Sequence, residues 1–142
     1  MRFGMKAKWK SSWKASKKPS KQRKYRWNAP LHIVHKLMSA HLSKELRQKY
    51  GMRSMAVRKG DKVKVMRGQF SGTIGEIDEV DLVHSKVYVK GAEFKGKAGT
   101  APRRYPLNAS KLMLISLNTD DKARMKKLRG KGLETAKSAA KK

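Results

Sequence analysis

The chain has 142 residues and a formal net charge of +27, because 37 lysines and arginines stand against only 10 acidic residues. So large a charge is best tolerated beside a polyanion. Nucleic acid is a better candidate than an anionic membrane, because lysine and arginine release counterions when they neutralise phosphates. Cysteine is absent, which excludes disulfides and thiolate metal sites, and no apolar run approaches the roughly 18 residues of a transmembrane helix. No secretory signal is visible in residues 1–27, so we expect a cytoplasmic protein.

The charge is unevenly distributed along the chain. Residues 1–27 contain 11 basic and no acidic residues, whereas residues 59–119 contain 11 basic and 6 acidic ones. This contrast predicts a small folded body with basic extensions that become ordered on a partner. The expected segments are a basic N-terminal extension (1–27), a short helical segment (28–58), a β-barrel (59–118), and a C-terminal helix with a basic tail (119–142).

The N-terminal extension is rich in lysine and serine and poor in aliphatic residues, so it is not expected to fold alone. Trp9, Trp13 and Trp27 interleave with its lysines. Aromatic rings among cations suit contact with exposed RNA bases, and packing on the body or on a neighbouring protein is the open alternative. An organellar presequence is disfavoured because the basic residues are mostly lysine.

The stretch NAPLHIVHKLMSA (28–40) predicts a short helix. Asn28 is a suitable N-cap, and Pro30 is tolerated in the first turn. Leu31, Val34 and Met38 form an apolar stripe at helical spacing. The two histidines of this helix are interpreted as exposed or phosphate-contacting rather than metal-binding, because no cysteine or carboxylate lies nearby in the sequence.

The stretch LSKELRQKYG (42–51) predicts a second short helix, which Ser43 caps and Gly51 ends. Apolar residues at four-residue spacing give this helix one buried face, and the opposite face carries Lys44 and Arg47. A basic face is usually just solvated, but the charge of this chain makes contact with RNA an equally open interpretation.

Short strands dominate the second half of the chain. The expected strands are 62–66, 73–80, 86–90 and 111–116, with room for a fifth between 89 and 107. Strands this short and numerous favour a small, strongly bent barrel, so the predicted fold class is mainly β with short flanking helices. Thr119 is the expected N-cap of a last helix that Gly130 ends.

Three glycines follow the first expected strand, in KGDKVKVMRGQFSGTIGEI (59–77). Glycine tolerates positive φ and lets another backbone approach closely, so Gly68 and Gly72 suit a hairpin loop or a surface against sugar-phosphate. Gly75 permits sharp bending of the next strand, and Arg67 adds a cation beside the loop. The spacing fits neither a P-loop nor a GxGxxG turn before a helix.

This segment resembles the KOW motif, which reads K-G-D-x-V-x-V, then G-x-x-x-G-x-x-G, then an apolar residue. The motif occurs in certain ribosomal proteins and in transcription elongation factors of the NusG and Spt-five kind. Residues 28–63 and 108–124 resemble the segments that flank the motif in the large-subunit ribosomal protein L-twenty-four of archaea, called L-twenty-six in eukaryotes. The short tail and the sequence APLH favour the archaeal form.

The resemblance implies a structural RNA-binding protein of the large ribosomal subunit rather than an enzyme. It implies an SH3-like barrel on the 5′ domain of large-subunit ribosomal RNA, near the polypeptide exit tunnel, with a part in subunit assembly. The expected partners are that RNA, neighbouring ribosomal proteins and, by proximity, the nascent chain and targeting factors. No cofactor, metal, catalytic residue or homo-oligomer is expected.

The residues expected to contact ribosomal RNA come from the resemblance and from the basic segments beside it. The resemblance assigns contacts within 67–72 and to short stretches in 28–32, 43–47 and 53–55. The full set is Lys21, Arg23, Lys24, Arg26, Trp27, Asn28, Pro30, His32, Lys36, Ser43, Lys44, Arg47, Arg53, Ser54, Met55, Lys62, Lys64, Arg67, Gly68, Gln69, Phe70, Gly72, Arg103, Arg104 and Lys111.

Three other functions have weaker support. A transcription elongation factor would carry a separate α/β domain before the KOW barrel, whereas two short helices are expected there. An enzyme would need a paired nucleophile and base, but His84 has no such partner in the sequence, and the acidic residues of 61–93 are interpreted as surface ion-pair partners. Binding of the Trp- and Lys-rich N-terminus to a membrane surface stays an alternative.

Overall fold

The computed structural model describes residues 9–94, 96, 101–126 and 128. Its helices are α1 (Pro19–Asn28), α2 (Leu31–Leu37) and α3 (Lys44–Tyr50), with short 3-10 helices at Ser11–Ala15 and Ala109–Lys111. Its strands are β1 (Ser39–Leu42), β2 (Ser54–Ala56), β3 (Lys62–Val65), β4 (Ile74–Asp81), β5 (Lys86–Val89), β6 (Glu93–Phe94), β7 (Arg103–Arg104) and β8 (Leu112–Ser116). Residues 122–126 are also helical. No helix in the described part of the chain is both long and apolar enough to cross a membrane.

Six strands form one mixed sheet in the order β2-β1-β8-β3-β4-β5, and β6 pairs with β7 as a separate ribbon. β1 and β8 run parallel, and the other neighbours run antiparallel. The long β4 pairs with β3 through its first half and with β5 through its second. Register shifts at Lys62/Val63 and Ile77/Glu79 bend the strands locally. The predicted fold class, a small and mainly β barrel-like domain with flanking helices, is therefore confirmed.

The core is built by alternating residues of these strands. Val63, Val65, Leu112 and Leu114 have no exposed surface, and the register places Val63 opposite Leu114 and Val65 opposite Leu112. Side chains that alternate along a strand point to opposite faces of the sheet. Lys64, between the two valines, is therefore on the outer face, where the candidate site is built.

Gly75 lies in β4, where it allows two strands to pack closely. A Cβ at this position would collide with the backbone carbonyl of Lys90 and with the side chain of Val89. The amide of Lys90 also donates to the carbonyl of Glu76 at 3.0 Å, so the chain after β5 is bound tightly against β4. The glycine is thus required by a close approach of protein backbone.

The helix predicted over 28–40 begins differently. Asn28 is the last residue of α1, and Pro30 occupies the N-cap position of α2. Ala29 is extended (φ −60°, ψ 137°), because the ring of a following proline disfavours the helical region. The proline therefore separates two helices, and the prediction of Asn28 as an N-cap is wrong.

The same predicted helix also ends early. α2 stops at Leu37, and Ser39–Leu42 forms β1 between β2 and β8. Val34 and Met38 are buried, as the apolar stripe predicts, whereas Leu31 is 45% exposed. Pairing on both sides and burial in the sheet outweigh the helical preference of this segment.

The second predicted helix is confirmed as α3. The hydroxyl of Ser43 accepts a hydrogen bond from the amide of Leu46 at 3.3 Å, which is the expected N-cap contact. Gly51 has φ +59°, the left-handed conformation that commonly ends a helix. The helix is fixed at both ends, and this fixes the position of Arg47 within it.

The N-terminal extension contains helical structure that its composition did not predict. α1 packs on the 3-10 helix Ser11–Ala15, and the side-chain amide of Gln22 donates to three backbone carbonyls of that turn and its end. The indole of Trp9 donates to the carbonyl of Tyr25, and the centroids of the two rings lie 5.4 Å apart. Trp9 therefore packs within the extension rather than standing free for a base.

A buried ion pair joins the C-terminal helix to the barrel. Asp61 has no exposed surface and accepts two hydrogen bonds from the guanidinium of Arg124, at 2.7 and 2.8 Å. The carboxylate also accepts from the backbone amides of Arg58 and Asn118. Arg124 donates in addition to the carbonyl of Ala56, in the edge strand β2. The buried charges thus satisfy one another through a complete set of hydrogen bonds.

Asp121, rather than Thr119, caps this last helix. Its Oδ1 accepts a hydrogen bond from the amide of Ala123 at 2.9 Å, so the prediction of Thr119 as the cap is wrong. Leu128 is buried in the core, which places the helix against the barrel. The predicted end of the helix at Gly130 lies outside the described residues.

Candidate nucleic-acid interface

The loop between β3 and β4, residues 66–72, is tightly hydrogen-bonded. The amide of Gly72 donates to the carbonyl of Val65 at 2.8 Å, and the amide of Ser71 donates to the carbonyl of Gly68 at 3.0 Å. Gly68 and Gly72 have φ of +102° and +90°, values that L side chains rarely adopt. Glycine at both positions therefore forms this loop without backbone strain, and the loop projects the exposed side chain of Arg67.

The positive charges of three arginines from separate segments act on His41, and we call these four residues the His41 cluster. Arg47 comes from α3, Arg53 precedes β2, and Arg67 comes from the loop 66–72. Burial lowers the pKa of His41 below its ordinary value of 6.5, and the positive charges of Arg47, Arg53 and Arg67 lower it further. Burial and the three cations therefore favour the neutral form of the imidazole over its protonated form.

Strand position and a hydrogen bond orient two members of the His41 cluster, His41 and Arg47. Arg47 Nε donates to the carbonyl of Leu42 at 2.8 Å, which orients its guanidinium against β1. His41 itself lies in β1, between the buried Ala40 and Leu42, so its ring points to the outer face. The fold thus brings three positive charges within electrostatic range of one histidine, an arrangement that favours an anionic ligand.

A row of outward-facing residues continues the His41 cluster across the sheet. The register pairs His41 with Ser54 of β2 and Met113 of β8, and pairs Met113 with Lys64 of β3. Cross-strand partners share one face of a sheet. Lys111 extends this face toward the loop, because its Nζ lies 3.9 Å from the position that a Cβ on Gly68 would take.

Most remaining residues of the predicted set lie on or beside the three helices, on β3, in the loop 66–72 and on β7. Lys21, Arg23, Lys24 and Arg26 are exposed along α1, and Trp27 beside them is 62% exposed. The other exposed members are His32, Lys36, Lys44, Lys62, Gln69 and Arg103, whereas Asn28, Pro30 and Ser43 are partly buried. These positions border the described body rather than joining the His41 cluster.

The acidic residues are concentrated on β4, where cations of the chain bind them. Lys90 pairs with Glu76 at 2.9 Å, and Arg104 pairs with Asp78 and Glu79 at 2.8 and 2.9 Å. A hydrogen bond from Arg104 to Asp78 raises the pKa of this guanidinium above its ordinary value. Arg104, although predicted to contact RNA, is thus engaged by carboxylates of its own protein.

Two other predicted residues are engaged in packing. Met55 is only 6% exposed, and its sulfur accepts a hydrogen bond from Arg124 Nε at 3.2 Å. Phe70 is partly buried, and its ring lies against Phe94 and Tyr105 with centroid distances of 6.3 and 4.9 Å. The side chain of Met55 is therefore closed to a ligand, and Phe70 supports an aromatic cluster instead of standing at the loop tip.

Sequence reasoning did not select His41, Phe94 or Tyr105. His41 fell between the two predicted helices (28–40 and 42–51), although the alternation of SAHL (39–42) is a short strand pattern. Phe94 and Tyr105 flank a stretch rich in glycine, and their proximity depends on the pairing of β6 with β7. Among the described residues, no three His, Asp or Glu side chains lie close enough together to hold a metal ion.

Comparisons with known proteins agree with the resemblance of the motif and its flanking segments. A family model that describes the ribosomal proteins L-twenty-six of eukaryotes and L-twenty-four of archaea matches residues 16–131, a range that includes the loop 66–72 and the whole His41 cluster. The chain is also similar to the large ribosomal subunit protein uL24 of the archaeon Korarchaeum cryptofilum (strain OPF8). The two are 47% identical over 114 residues, which cover 80% of this chain and 86% of the relative.

Proposed function

Because the chain belongs to the family of ribosomal proteins that comprises the archaeal L-twenty-four and eukaryotic L-twenty-six proteins, we propose that it binds large-subunit ribosomal RNA through the His41 cluster and the loop 66–72. The chain is a structural constituent of the large ribosomal subunit, located with the ribosome in the cytoplasm, and it is not an enzyme. The proposal assigns RNA contact to the face of the barrel that carries the His41 cluster.

The convergence of Arg47, Arg53 and Arg67 on His41 is the observation that supports this face. These cations come from three segments, and each acts electrostatically on the same imidazole, where like charges repel one another. A phosphate backbone relieves that repulsion and gains favourable free energy by releasing its condensed counterions. Contacts of this kind position a protein by RNA shape rather than by base sequence.

The acidic strand β4 supports the same orientation. Its carboxylates are bound by Lys90, Arg104 and His84, so this side of the barrel offers less positive charge to a phosphate. The protein thus has a cationic side, which we assign to RNA, and a largely neutralised side, which we assign to solvent or to neighbouring ribosomal proteins.

We extend the proposal to the location of the protein. The resemblance of residues 28–63 and 108–124 to the family supports binding to the 5′ domain of the RNA, near the polypeptide exit tunnel, and a part in subunit assembly. At that place the protein would lie close to the nascent chain and to targeting factors. The KOW motif and an SH3-like barrel are part of the same proposal.

Salt-dependent binding tests the proposed face. The full chain is titrated with a transcript of the 5′ domain, and the variant with Arg47, Arg53 and Arg67 all changed to Gln is compared with one in which Lys86, Lys90 and Lys122 are changed to Gln. The cluster variant should lower the slope of log affinity against log salt by about 2 to 3, because each lost phosphate contact removes about 0.7–0.9. The control loses the same formal charge on other surfaces and should change the slope much less. Equal losses in the two variants would contradict the assignment.

A further inference from the structure

Phe70, Phe94 and Tyr105 form an aromatic cluster at the junction of the loop 66–72 and the β6–β7 ribbon. Phe94 meets Tyr105 at a centroid distance of 4.9 Å with their planes 67° apart, and it meets Phe70 at 6.3 Å with planes 75° apart. Both are edge-to-face contacts, which aromatic pairs prefer. The two partner rings pack against the core, so they hold Phe94 in a fixed orientation.

Phe94 is the exposed member of this cluster. It retains 43% of its surface in solvent, whereas Phe70 and Tyr105 are partly buried. A rigid, exposed aromatic ring loses little conformational freedom when a flat partner packs on it, because its neighbours already restrict its rotation. The ring therefore has a fixed orientation and an exposed surface on which a planar ligand can pack.

A cation stands beside this ring. The register pairs Phe94 with Arg103, and cross-strand partners share one face of a ribbon. The next residue, Arg104, turns to the other face, where it pairs with Asp78. Arg103 is exposed, and no ion pair engages it within the described residues.

The aromatic cluster adjoins the proposed RNA-binding face. Phe70 belongs to the same tight loop as Arg67, which is a member of the His41 cluster. A strand of RNA with phosphates near Arg67 therefore passes close to Phe94. In a duplex the base faces are hidden by stacking, so an exposed ring suits an unpaired base.

We propose that Phe94 is a stacking platform for an unpaired RNA base, with Arg103 holding an adjacent phosphate. This inference rests on the proposed RNA-binding function and deepens it, because it names a single-stranded or bulged nucleotide as the ligand of this site. Every base has a π-face, so the platform selects for unpaired structure rather than for sequence.

The test compares two RNA probes with the full chain. The probes are an oligoadenylate strand and a fully paired RNA duplex with the same number of phosphates. Phe94→Leu keeps an apolar side chain but removes the aromatic face, and it should weaken binding of oligoadenylate by about 5- to 150-fold. Binding of the duplex should stay unchanged. Phe94→Tyr, which keeps the ring, should bind both probes as the original chain does, and Arg103→Gln should weaken binding of oligoadenylate more than that of the duplex.

Four outcomes separate this inference from the proposed function. If the three-arginine variant loses neither probe, the proposed function is wrong. If that variant loses both probes while Phe94→Leu binds both normally, the stacking platform alone is wrong. Equal weakening of both probes by Phe94→Leu would also overturn the platform. So would normal RNA binding by Phe94→Leu combined with poor incorporation into large subunits, because that result indicates a protein contact.

Discussion

Two groups of arginines in this protein occupy contrasting environments. Arg104 and Arg124 are each bound by a carboxylate of the chain. Arg104 pairs at the surface with Asp78 of β4, and Arg124 pairs in the interior with Asp61. Arg47, Arg53 and Arg67 instead lie in no ion pair within the described residues, and the charge of each lowers the pKa of His41. The residue type is the same, so only the environment separates the two groups.

The two groups of arginines therefore have different roles. A buried and fully hydrogen-bonded arginine holds parts of the fold together, and its loss leaves an uncompensated charge in the interior. Arginines that repel one another store unfavourable free energy in the isolated protein, and a polyanion relieves it. The buried Arg124 of the first group should therefore govern stability, and the second group should govern RNA affinity.

Asp61→Asn should produce the largest effect, because it removes the charge that compensates the buried Arg124. We expect the free energy of unfolding to fall by about 3–5 kcal/mol, as measured by urea denaturation of the isolated chain. Arg104→Gln removes an exposed arginine from its ion pairs and should cost much less. Equal destabilisation by the two variants would contradict the contrast between buried and exposed pairs.

Arg67→Gln should affect RNA binding more than Arg104→Gln, although each variant removes one exposed arginine. We expect Arg67→Gln to lower the salt slope of RNA affinity by about 1, because one phosphate contact is lost. Arg104→Gln should leave the slope nearly unchanged, since Asp78 and Glu79 already bind that guanidinium. Anisotropy titrations of a labelled 5′-domain transcript at several salt concentrations give both slopes. A larger effect of Arg104→Gln would reverse the assignment of the two faces.

The sequence predicted the strands of the barrel well, because their signal is local. Val63 and Val65 alternate with lysines, and the observed β3 and β4 agree with the predicted strands to within one residue at each end. The cap of α3 at Ser43 and its end at Gly51 were also predictable, since each depends on one residue type at one place. Such features need no knowledge of distant contacts.

Features that depend on long-range pairing could not be predicted. β1 is a strand because β2 and β8 lie on either side of it, and Asp61 meets Arg124 across 63 positions of sequence. The His41 cluster likewise joins four segments, although Arg47, Arg53 and Arg67 were each expected to contact RNA. The sequence therefore suggested the cations, and the fold supplies their common location.

His41 should give stability and RNA affinity opposite dependences on pH. Its pKa in the folded chain lies below 6.5, through burial and through Arg47, Arg53 and Arg67, so the unfolded chain binds the proton more strongly. The isolated protein should lose stability as pH falls through 6.5 toward the folded pKa. Phosphates near the arginines should raise the pKa of His41 in the complex, so RNA affinity should increase over the same range.

The control for this effect is His41→Gln, which removes the titrating group and keeps a polar side chain. The difference between this variant and the original chain isolates His41 from the other histidines, in both denaturation and RNA titrations. Identical pH dependences of affinity in the two proteins would show that phosphate does not approach the His41 cluster.

Gly72→Ala should change the stability of the isolated chain the least. Because the fold is little affected, a larger change in RNA affinity would show that RNA packs against this position. A Cβ at this position meets no atom within 4 Å, so the cost is confined to the backbone conformation at φ +90°. We expect a loss of about 1 kcal/mol in the free energy of unfolding. If RNA backbone packs against the loop 66–72, as we propose, the same methyl group should lower RNA affinity by more than the loss of stability explains. If the variant is less stable but binds RNA normally, RNA does not pack against Gly72, and the contact is made by the arginines alone.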